Sequence, residues 1–161
     1  NHAFDLLEEG VLKQNYEKIV LGSLYDGIGF GNSSTTLGHA LSYVYSNEGV
    51  SHGHALAFTT TIAHKFNKSK FYERFLAIVK KLEFSEIYLK QDLNEASERI
   101  LIDRKHLDNN PVDITKNEII SLLKDINDKK VVKIKNLLKS KINKIIRISI
   151  IKENNRNKNY C

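Results

Sequence analysis

The chain has 161 residues, enough to bury one compact core and carry a tail. Its one cysteine, Cys161, excludes an internal disulfide and a Cys-based zinc framework, and fits a reduced, cytoplasmic setting. The formal net charge of +6 is unevenly held: from Lys129 to Cys161 eleven Lys or Arg face the single acid Glu153, leaving 14 basic against 18 acidic residues before them. The first part is therefore mildly acidic, and the basicity belongs to the tail. No secretory signal is visible, and no apolar run is long enough to span a bilayer. The first residue is Asn rather than Met, so the chain is expected to be a segment of something longer.

In chain order, Asn1 to Leu12 is amphipathic, with Phe4, Leu7 and Val11 at helical spacing and Glu8 and Glu9 opposite. A second helix is expected from Asn15 to Phe30, its apolar line running through Tyr16, Ile19, Val20, Leu24 and Ile28. Gly22, Gly27, Gly29 and Gly31 are interspersed. Glycine is costly in a solvated helix, so this density implies close approach of a neighbouring backbone, with ligand contact as the alternative.

Ser33 to Phe66 is the stretch that organises the chain. It holds four of the six histidines, His39, His52, His54 and His64, in apolar, small-residue surroundings. Ser33 to Thr36 reads as an N-cap cluster. Two helices follow, Thr35 to Tyr45 and His52 to Phe66, separated by the polar turn Ser46-Asn47-Glu48-Gly49. A helix–turn–helix of this length can bring His39 and His52 into one cleft. Neutral imidazole is a common ligand of divalent transition metals. Two nitrogens alone do not make a tight site, so at least one further ligand must come from elsewhere. Taken singly, each histidine reads as a satisfied core or cap residue. His54 falls on a different side of the helix, where it supports a ligand, faces substrate or is structural; His64 and His106 read as surface or core.

Ser69 to Leu82 carries the core stripe Phe71, Phe75, Ile78, Val79 and Leu82. Phe84 to His106 reads as further helix broken near Asp92, with Leu93, Ala96, Ile100 and Leu101 inward. Asn109-Asn110-Pro111 is a breaker. Thr115-Lys116-Asn117-Glu118 has capping-box form before Ile119, Ile120, Leu122, Leu123 and Ile126. No alternating strand pattern appears before the tail, so the expected class is all-α, with a helical unit over 1–128 and a basic tail over 129–161. In that tail Val131, Ile134, Leu138, Ile142 and Ile145 line one helical face between lysines. It reads as a solvated, partly helical or disordered extension, or as a basic amphipathic helix for a membrane surface, an acidic partner or nucleic acid. No nucleic-acid motif is recognisable.

HALSY at 39–43, a turn, and VSHGHALAF at 50–58 together resemble the metal-binding signature of the iron-containing (group III) alcohol dehydrogenases. The likeness is greatest to phosphonoacetaldehyde reductase-like members, in which a TT…HA.SY…HGHA pattern recurs. It extends from about Ala3 to Ile126: Leu21 to Leu24 through Gly27 and Phe30 looks like the helix before the signature, and Asn109 to Leu123 like the closing helix. The resemblance implies a two-domain enzyme whose N-terminal α/β domain binds NAD(P) and whose helical C-terminal domain carries Fe(II) or Zn(II). In the family an Asp and a His one helical turn apart join two later histidines on the ion, and His39 and His52 stand at those two later positions. The Asp and first His are expected upstream of Asn1; His2 does not replace them.

The chain shows no glycine-rich dinucleotide turn and no βαβ pattern, so it is expected to be the C-terminal half, inactive alone. In the complete enzyme, expected to be a homo-oligomer, the ion acts as a Lewis acid on the oxygen of a small alcohol or aldehyde while hydride passes to or from nicotinamide. Many members carry a further histidine about one turn after the first signature ligand, where Ser42 and Tyr43 stand here; this leaves the proton relay unassigned, and Ser42, like His54, is a candidate for supporting a ligand or touching substrate. A glycerol or short-alcohol dehydrogenase, or a non-catalytic remnant with a partner-binding tail, are the alternative readings.

Overall fold

A computed structural model describes residues 2–128, which form eight helices and no strand. The expected tail from Lys129 and its lysine-flanked apolar face lie outside the described residues. The helices are α1 (His2–Lys13), α2 (Tyr16–Ser33), α3 (Leu37–Ser46), α4 (His52–Phe66), α5 (Tyr72–Lys81), α6 (Leu93–Ile102), α7 (Arg104–Leu107) and α8 (Lys116–Asn127). No described helix is long and apolar enough to cross a membrane.

The core is built on the α3–α4 hairpin. Leu37, Leu41 and Tyr45 recur every fourth residue along one face of α3 and are fully buried. They belong to one cluster with Ala55, Phe58 and Ile62 of α4, Ile100 of α6, and Ile119 and Leu123 of α8. The turn between the hairpin's helices needs only residues 47–51, with Gly49 in the left-handed region at φ 91°. The N-cap cluster works differently from expectation: Thr36 stands at the N-cap of α3, but its side chain makes no cap bond. The capping box of α8 is formed as read, with Thr115 and Glu118 satisfying each other's backbone N–H.

The α1–α2 hairpin is held by glycine. A Cβ on Gly22 would lie 3.0 Å from the Leu7 backbone nitrogen, and one on Gly10 would lie 2.8 Å from that of Ile19. Gly27, Gly29 and Gly31, expected to mark the same kind of approach, have nothing within 4 Å of where a Cβ would stand. The reason is that, among the described residues, α2 is covered on one face only. Tyr16, Val20, Leu24 and Ile28, four of the five residues of its apolar line, are 57 to 78% exposed. The hairpin is fastened to α5 by Arg74, which pairs with Asp5 and Glu8 and lies 4.4 Å over the Phe4 ring. Phe4 also meets Phe71 edge-on at 6.0 Å.

One expected helix is absent. Residues 84–91 have no helical turn; α6 starts only after Asp92, whose carboxylate accepts the N–H groups of Asn94 and Glu95. Ile87 and Leu89 are buried while Tyr88 between them is 62% exposed, an alternation that suits extended backbone. The segment's donors are met from afar. Glu48 accepts the N–H groups of Lys90 and Gln91, and Asn127 accepts that of Leu89. Those partners lie some forty residues away, so the apolar residues are buried without a helix.

Candidate metal centre

His39 lies in the first turn of α3, half-buried, and His52 is the first residue of α4, exposed. Their ring centroids are 5.4 Å apart with planes at 60°. The short turn therefore brings together the two imidazoles that the spacing paired.

Ser42 sets the state of His52. Its hydroxyl donates to the His39 carbonyl at 2.8 Å, and its oxygen lies 3.3 Å from Nδ1 of His52. A hydroxyl has one hydrogen to give. With that hydrogen on the carbonyl, the oxygen can only accept, so the hydrogen-bond network assigns the His52 proton to Nδ1 and leaves Nε2 with its lone pair. Ser42 is itself fully buried, which fixes this arrangement. Burial, and then the charges of His52 and His106 when protonated, hold the pKa of His39 below the ordinary imidazole value. His39 thus keeps a neutral ring, the form that can donate to a metal.

Two further rings close a circuit. Tyr43 lies parallel to His52 at 5.6 Å, and His106 lies parallel to His39 at 6.1 Å. Tyr43 and His106 meet at 5.5 Å. His106 is buried, and its Nδ1 sits 2.6 and 2.7 Å from the two carboxylate oxygens of Asp103. His106, expected to be a surface or core residue, is buried, and its ring stands beside those of His39 and Tyr43. A signal was nonetheless present in Asp103-x-x-His106, whose side chains are one helical turn apart; what the sequence could not show is that α7 packs on α3.

The remaining candidates fall elsewhere. Nε2 of His54 is 2.6 Å from the Ser85 carbonyl, to which it donates, and the ring lies between Phe58 and Phe84. His54 therefore ties α4 to the extended segment. His64 rests against Phe75, and His2 against Tyr25. Among the described residues no three His, Cys, Asp or Glu side chains are already gathered to hold an ion. His39 and His52 offer two imidazole nitrogen donors, a chemistry that suits Fe(II) or Zn(II), so the residues fit such an ion as part of its ligand set.

Comparison with curated proteins and with solved structures gives no match. The family model described as Fe-containing alcohol dehydrogenase family, C-terminal, matches residues 5–104. That span holds His39, Ser42, His52 and His54 and ends just before His106. It covers most of the chain and runs through α6, in an all-helical fold; the chain belongs to the Fe-containing alcohol dehydrogenase family, in its C-terminal domain.

Proposed function

We propose that the chain supplies the metal-holding helices of an NAD(P)-linked alcohol dehydrogenase or aldehyde reductase, with His39 and His52 as two ligands of Fe(II) or Zn(II). The observation that carries this is the 5.4 Å imidazole pair, with Ser42 drawing the proton of a neutral His52 ring to Nδ1. A bound divalent ion supplies Lewis acidity toward an alcohol or aldehyde oxygen. The residues of this chain do the positioning. Ser42 links one ligand's backbone to the other's ring, and Tyr43 lies against the His52 ring and limits its rotation. Nicotinamide binding falls to the α/β domain that the family carries N-terminal to this one, and the full-length enzyme is taken to be a homo-oligomer.

The substrate reading is phosphonoacetaldehyde, supported by Thr35-Thr36, HALSY and HGHA in the order the phosphonate-associated branch shows. The full-length protein containing this chain should carry one divalent ion per subunit, and His39→Ala should abolish it; unchanged metal content in that variant refutes the assignment. A rate panel then separates substrates. Preference for the phosphonate aldehyde over simple alkanals and glycerol supports the narrower reading, and the reverse order replaces it with a short-alcohol or glycerol dehydrogenase.

A further inference from the structure

His106 stands outside the stretch matched to the family, yet its ring is one of the four at the candidate centre. We propose that His106, oriented by Asp103, is a further imidazole ligand of the ion assigned to His39 and His52. This inference rests on that assignment and extends it to α7.

Three observations carry it. The first is the carboxylate on Nδ1. Metal-bound histidines almost always give their second ring N–H to a carboxylate, a carbonyl or water, which fixes the tautomer and strengthens the donor nitrogen. Of the rings at this centre, His106 alone has a carboxylate there, with both Asp103 oxygens within 2.7 Å of Nδ1. The proton is thereby held on Nδ1, and Nε2 is the coordinating atom.

The second is spacing. With metal–nitrogen bonds of about 2 Å, imidazoles sharing one ion have centroids about 5 Å apart. His39 and His52 meet this at 5.4 Å, and His39 and His106 stand about an ångström outside it at 6.1 Å. The third is rigidity. The His106 ring is buried and held by its acid, so the remaining ångström of approach falls to the half-buried His39. The plain alternative is that Asp103 and His106 merely join α6 to α7. A purely structural pair would affect stability and leave the electronic environment of a bound ion alone.

The test is a Co(II) titration of the 161-residue chain, followed by visible d–d absorption, with Zn(II) competition for affinity. His106→Gln should weaken binding at least ~100-fold and move the d–d bands, and Asp103→Asn should weaken it ~10- to 100-fold, on the scale typical of losing a ligand's supporting group. His64→Gln, away from the centre, should change neither. Far-UV circular dichroism on each variant checks that the helices persist, and Asp103→Asn carries the test if His106→Gln unfolds. If His39→Ala and His52→Ala lose the ion while His106→Gln and Asp103→Asn keep wild-type affinity and spectrum, His106 is no ligand and the two-histidine assignment stands. If His39→Ala binds as wild type does, or wild type binds no Co(II), the proposal for His106 falls; the metal content of the full-length protein then decides the broader reading separately.

Discussion

The Ser42 hydroxyl hydrogen lies on the His39 carbonyl, and a proton on His52 answers to that choice. Ser42→Ala removes the acceptor at Nδ1 and frees His52 to exchange tautomers with water. The expected result is a ~10- to 100-fold loss of divalent-metal affinity with helix content unchanged, the range seen when an outer partner of a ligand is deleted. Imidazole nitrogen chemical shifts above neutral pH would check the cause. Wild type should show His52 protonated on Nδ1, and Ser42→Ala a mixture weighted toward Nε2. Equal tautomer populations in the two proteins would remove Ser42 from the site.

At the level of elements, glycine separates contact from exposure within one hairpin. Gly10 faces the Ile19 backbone, and an added methyl group there would sit 2.8 Å from a peptide nitrogen. Gly10→Ala should therefore destabilise the protein by about 1–3 kcal/mol through overpacking. Gly29 has open space around it, and Gly29→Ala should stabilise α2 by up to about 1 kcal/mol from the better helix propensity of alanine. Urea denaturation of both variants reads the two signs; a loss at Gly29 as large as that at Gly10 would mean that α2 has a covering partner on its second face. The even scatter of glycines along α2 reads in sequence as one signal, because composition does not record which face is covered.

At the scale of the whole molecule, two hairpins of different kinds are joined. The α3–α4 hairpin lies inside a core closed by α6 and α8, while α1–α2 is fastened to α5 through Arg74 and the Phe4–Phe71 contact. Arg74→Ala removes both ion pairs and the guanidinium over Phe4. Amide protection across residues 3–33 should then fall ~10-fold while that of α3, α4 and α8 stays put, since locally fastened units open below the global free energy. Uniform loss across all helices would show instead that the hairpin and core open together.

The same division explains what could be read in advance. The helices bearing His39 and His52, the Thr115 capping box and the all-α class are governed by residues three or four apart, and periodicity and capping record those. The extended course of 84–91 depends on Glu48 and Asn127, and the place of His106 depends on α7 meeting α3. Neither partner is near in sequence. The apolar line of α2 shows the converse: Tyr16, Val20, Leu24 and Ile28 have the pattern of a covered face, but among the described residues no helix covers it.

The five residues between α3 and α4 have a consequence for biosynthesis. Closing a loop that short takes on the order of 100 ns or less, far faster than a ribosome adds one amino acid. A nascent chain thus holds both His39 and His52 in reach of each other while α6, α7 and α8 are still untranslated. On the proposed assignment, capture of an ion can begin with that pair, and Asp103 and His106 arrive later in synthesis.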